Sequence, residues 1–68
     1  MTPEKLARMA NQIAKGLLGR RDVEAEVAAH LKSFWSPAMR RDLIDHAGDE
    51  TLQLDPVVRA ALNRLRAD

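Results

Sequence analysis

Few residues of this 68-residue chain have chemical capacity: two histidines (His30 and His46), Ser33 and Ser36 beside the first, and two arginine pairs, Arg20-Arg21 and Arg40-Arg41. Two imidazoles on separate elements could share a metal ion, but a tetrahedral site needs a third and a fourth ligand. Asp45 and Asp49 are candidates only by their nearness to His46, and no HxxxH or HxxE spacing is present. The histidines therefore read as structural or interface residues, and no metal ligands are assigned. A Ser–His pair can be drawn from Ser33 or Ser36 with His30. Nucleophilic catalysis also needs an orienting acid and an oxyanion hole, and nothing in the sequence supplies either. A helical domain of this length also has little room for a water-excluding pocket. No catalytic residue is assigned, and the chain is expected not to be an enzyme.

The arginine pairs suit contact with phosphate or with an acidic partner. Asp22, Asp42 and Asp45 partly offset them. Eleven Lys and Arg face ten Asp and Glu, a formal net charge of +1, so the basic excess of a typical nucleic-acid binder is missing. Aromatic residues form 3% of the chain, too few for stacking platforms on single strands. A small helix-turn-helix-like nucleic-acid-binding protein is the alternative reading from another class. Against it, Asp42 and Asp45 would repel phosphate from the segment PAMRRDLIDHA.

The elements that position these residues are organised around the segment 27–47. It holds the only Trp (Trp35), the only Phe (Phe34) and both histidines. Val23, Val27, Leu31 and Phe34 recur at helical spacing before Pro37; Met39, Leu43, Ile44 and Ala47 do so after it. Proline fits the first turn of a helix and not its interior, and Ser36 can cap the free N–H groups of that turn. One helix should end near Phe34 or Trp35 and the next should run from Pro37 to about Ala47. The two rings then sit at the corner, with Trp35 serving as core, as interface anchor, or as both.

Upstream, Thr2-Pro3-Glu4 is a helix start. Leu6, Met9, Ala10, Ile13 and Leu17 form one apolar stripe, Gly16 weakens the last turn, and Gly19 is the expected C-cap. Asp22 is the expected N-cap of the second helix, whose Ala25, Ala28 and Ala29 allow close approach. Gly48-Asp49-Glu50 is a break. Asp55-Pro56 repeats the cap-then-proline pattern, and Val58, Ala61, Leu62 and Leu65 follow as a stripe. Leu52 and Leu54 should pin the preceding loop to the core, and the last residues from Arg66 should fray. The predicted fold is all-α, a small bundle of three to four short helices in one domain spanning 1–68. The predicted shared core is Leu6, Met9, Ile13, Val27, Leu31, Phe34, Leu43, Val58 and Leu62.

A chain this short buries only about 60% of its unfolded surface, so its core gains from a docked partner or from a homodimer in isolation. There is no Cys, no run of the roughly 18 apolar residues that span a membrane, and no signal-peptide h-region in MTPEKLARMA. The sequence reads as a soluble cytoplasmic protein with no membrane partner.

Three segments carry a resemblance. They are Lys5-Leu6-Ala7-Arg8-Met9-Ala10-Asn11-Gln12-Ile13-Ala14, the corner Val27-Ala28-Ala29-His30-Leu31 with Phe34-Trp35-Ser36-Pro37-Ala38-Met39-Arg40, Leu43 and His46, and the tail Leu54-Asp55-Pro56-Val57-Val58 with Ala60 and Ala61. Together the chain resembles the delta subunit of NAD-dependent, molybdenum-containing formate dehydrogenases. It departs from that pattern at Lys15-Gly16-Leu17-Leu18, where aromatic residues are usual, and at Ala38, where a basic residue is usual. The resemblance implies an accessory subunit that binds no cofactor itself. Its large partner subunits would carry the molybdenum–pterin cofactor, iron–sulfur clusters, the flavin (FMN) and the NAD site. It also implies a role in assembling or stabilising the active complex. The expected partner-binding residues are Asn11, Gln12, Trp35, Met39, Arg40 and His46. The two amides lie beside an apolar stripe, where partner hydrogen bonds would use them. Trp35 and Met39 would supply apolar anchor area, and Arg40 a charge at the rim.

Overall fold

The computed structural model describes residues 2–67. They form four helices, α1 (Pro3–Gly16), α2 (Val23–Phe34), α3 (Pro37–Asp45) and α4 (Pro56–Ala67), with no strand among the described residues. The small all-α bundle expected from the sequence is the observed architecture.

Three helices start on the side chains that the sequence nominated. The Thr2 hydroxyl accepts the Lys5 N–H at 3.2 Å, the Asp22 carboxylate accepts the Ala25 N–H at 3.1 Å, and the Ser36 hydroxyl accepts the Met39 N–H at 3.2 Å. Each satisfies a first-turn donor that has no partner inside its own helix. Ser36 is extended (φ −67°, ψ 156°), as a residue before proline is driven to be.

The helix ends differ from expectation in three places. α1 is capped at Leu17 and not at Gly19. Gly19 is instead the third residue of a turn closed by the Arg20 N–H on the Leu17 carbonyl at 3.1 Å, and its φ of +94° is one that glycine adopts without a Cβ penalty. α3 stops at Asp45, short of Ala47, because its end tightens. The His46 N–H bonds the Leu43 carbonyl at 3.1 Å and the Ala47 N–H bonds the Ile44 carbonyl at 3.2 Å, both three residues back. α4 continues past Arg66 to Ala67, and the Arg66 guanidinium donates to the Ile44 carbonyl at 3.0 Å, tying the last turn to α3. Asp68, the remainder of the segment expected to fray, lies outside the described residues.

The most extensive packing is between α2 and α4, and α1 lies against all three other helices. Leu6, Val27, Leu31, Leu43, Val58 and Leu62 are fully buried, as expected. Leu52 is buried and Leu54 partly so, which holds the loop before α4 to the core. Met9 and Ile13 are half-buried at its edge, and Phe34 is 75% exposed.

One cause explains these three departures. In α1 the buried residues are Leu6, Ala7, Ala10 and Ala14; in α2 and its cap they are Val27, Ala28, Leu31 and Trp35. Both faces follow a row spaced by four residues plus one neighbour, and at 100° per residue Met9, Ile13 and Phe34 fall on its flank. Small alanines let the backbones approach, so the centre of each contact is rotated away from the bulkier residues of the stripe. Val27 and Leu31 are compatible with either Phe34 or Trp35 as the next inward position, and Trp35 occupies it.

Candidate functional site

The six residues expected to contact a partner occupy different environments. Asn11 is used within the chain: its side-chain N–H donates to the Gln53 carbonyl at 2.8 Å and its Oδ1 accepts the Asp55 N–H at 3.0 Å. This fixes the loop before α4 to α1 and supplies an internal reason for an amide beside the α1 stripe. Gln12, the next residue, is exposed.

Trp35 is 7% exposed and belongs to the core. Its neighbour Phe34 takes the outward place, with its ring tilted against His30 at a centroid distance of 4.7 Å. Met39 is half-buried against the core.

Arg40, also half-buried, reaches across the α2–α3 corner, and its Nη1 donates to the Lys32 carbonyl at 2.7 Å. That carbonyl belongs to the last turn of α2, where helix carbonyls lack partners and partial negative charge gathers. At the end of α3, Arg59 donates to the Ala47 carbonyl, and Arg66 donates to the Ile44 carbonyl, which also accepts the Ala47 N–H.

His46 is the exposed C-cap of α3. Its Nδ1–H donates to the Asp42 carbonyl at 2.8 Å, and the Asp42 carboxylate lies 3.4 Å away. That backbone bond, reinforced by the charges of Asp42, Asp45 and Asp49, raises its pKa above the ordinary imidazole value. Asp49 accepts from the Thr51 hydroxyl at 2.7 Å and the Thr51 N–H at 2.9 Å, which lower its pKa.

Two surface grooves organise what remains. The larger, of about 650 Å³, is lined by Lys32, Pro37, Arg40, Arg41, Ile44, Asp45, Leu65 and Arg66. The smaller, of about 310 Å³, lies between α1 and the loop before α4 and is lined by Glu4, Ala7, Arg8, Asn11, Thr51, Leu52 and Gln53. Asn11 borders one groove and Arg40 the other, so these two expected contacts are on different features. The larger groove is legible only in part from sequence. Arg40-Arg41 shows as a basic pair, whereas Leu65 and Arg66 join it only through the packing of α3 on α4.

Among the described residues no group of three or more His, Cys, Asp or Glu side chains is placed to hold a metal ion. The redox groups expected of the large partner subunits do not fit this donor set, since iron–sulfur clusters take Cys thiolates and the chain has none. No described helix is long and apolar enough to cross a membrane. The arrangement can bind by charge and apolar contact.

Comparison with known proteins gives one finding. The model of the NADH-dependent formate dehydrogenase delta subunit family, FdsD, matches residues 5–62. No curated protein and no solved structure matched the chain. The family match takes in all of α2 and α3, nearly all of α1 and the first half of α4. The chain belongs to the formate dehydrogenase delta subunit family.

Proposed function

We propose that this chain is a non-catalytic accessory subunit that binds the large subunits of a cytoplasmic NAD-dependent formate dehydrogenase, above all the catalytic one. It acts at or before cofactor insertion, to support assembly or stability of the active complex. The observation that carries this reading is the family match over residues 5–62. The chemistry of the chain agrees with it: no cysteine, no glycine-rich nucleotide loop and no catalytic set.

The size of the molecule is also suitable. A standard interface takes about 800 Å² from each partner. The accessible surface here is 4521 Å², so one face of the bundle is enough. Gln12 and His46 are the exposed members of the expected contact set, Asn11, Met39 and Arg40 are half-buried, and Phe34 is the exposed ring at the corner.

The experiment is co-expression of the tagged chain with the large subunits. Co-purification of those subunits at physiological salt is the expected result. Failure to co-purify, together with tight binding of duplex DNA at that salt, would favour the helix-turn-helix alternative.

A further inference from the structure

We propose that the larger groove, between the corner, α3 and the end of α4, is the docking site for an acidic segment of the partner polypeptide. Such a segment would place Asp or Glu side chains beside an apolar residue. This rests on the reading above, that the chain docks on a large subunit.

The first observation is charge. Among the described residues, Arg40, Arg41 and Arg66 line the groove together with Lys32 and the carboxylate of Asp45. The whole chain has a formal net charge of only +1, whereas in this groove the three arginines outnumber the carboxylate among the described residues. Such a groove favours an anionic partner and speeds its encounter.

The second observation is order. The Arg40 and Arg66 guanidiniums are already held, on the Lys32 and Ile44 carbonyls at 2.7 and 3.0 Å. A guanidinium has five N–H donors, so each keeps donors for a carboxylate after its backbone bond is made. Side chains held before binding lose less entropy on binding. Arg41 is exposed and makes no hydrogen bond or ion pair among the described residues. It can meet a carboxylate in the two-pronged geometry that makes Arg–carboxylate contacts strong.

The third observation selects a peptide over a nucleic-acid backbone. The half-buried Ile44 and Leu65, with Pro37, give the groove apolar surface that a phosphate chain cannot use. Asp45 in the groove, and Asp42 on the same helix, repel a dense row of phosphates but tolerate isolated carboxylates placed opposite the arginines.

The test uses the full chain and the co-expressed large subunits. Arg41→Glu should lower affinity for them tenfold or more at low salt and flatten its salt dependence, and Arg41→Gln should give a smaller loss. Lys5→Glu, an equal change of charge in the first turn of α1, should bind as the unaltered chain does. Circular dichroism checks that each variant is folded. A photo-crosslinking residue in place of Arg41 should capture a partner peptide rich in Asp and Glu. If the unaltered chain co-purifies and Arg41→Glu binds equally well, or the captured peptide has no acidic residues, the groove assignment is wrong while the accessory role stands. If the unaltered chain does not co-purify, both are wrong. If Arg41→Glu loses affinity for duplex DNA and not for the subunits, the groove is a nucleic-acid site.

Discussion

Asn11 and Asp55, 44 positions apart, are joined by a hydrogen bond from the Asp55 N–H to the Asn11 Oδ1 at 3.0 Å. The same amide donates to the Gln53 carbonyl, so one side chain of α1 fixes the entry to α4. Removing it leaves a partly buried N–H without its acceptor. Asn11→Ala should therefore destabilise the fold by about 1–3 kcal/mol, whereas Gln12→Ala on the exposed side should stay within about 0.5 kcal/mol. Urea unfolding of both variants checks the difference.

Trp35 and Phe34 should separate cleanly. Trp35→Ala opens a cavity in the core and should cost about 3–5 kcal/mol, much of the stability of so small a domain. Phe34→Ala removes a ring that is 75% exposed and should shift the melting temperature little. Tryptophan fluorescence of the unaltered protein should be blue-shifted and poorly quenched by iodide. Equal thermal losses for the two variants would contradict the assignment of Trp35 as core and Phe34 as surface.

Ser36 caps α3 through the Met39 N–H. Ser36→Ala should cost about 1 kcal/mol, and Ser36→Asp should retain most of the stability because a carboxylate serves as well at that position. Thermal melts of the two variants give the comparison.

How legible was all this in the sequence? The caps were legible because they are local: Thr2, Asp22 and Ser36 act on N–H groups three residues away. The helix stripes were legible to within the rotation of a face. The choice between Phe34 and Trp35 was not, because Val27 and Leu31 admit either, and only the approach of a neighbouring helix decides. Asn11 was visible as an amide beside an apolar stripe, but its partners lie beyond Asp49, and no local pattern points to them. The same holds for the larger groove, whose Arg66 is separated from Arg41 by the whole loop between α3 and α4.

The pH response follows from His46. Its pKa is raised above 6.5 chiefly by the bond to the Asp42 carbonyl, so the folded chain holds that proton more tightly than the unfolded one. The stabilisation is fully present below the ordinary value and is lost as pH rises through the raised one. NMR titration should show the His46 ring titrating above 6.5. His46→Gln should remove the part of the stability change that falls in that window. A His46 titration at or below the ordinary value would contradict the cap geometry.

The most direct test of the accessory role is activity and cofactor content of the enzyme made with and without this chain. The large subunits are co-expressed in both cases, purified, and measured for formate-dependent NAD reduction and for molybdenum per catalytic subunit. Omitting the chain should lower the activity, with molybdenum occupancy falling alongside it if the chain acts before cofactor insertion. Full activity and full molybdenum occupancy in its absence would contradict the proposed function.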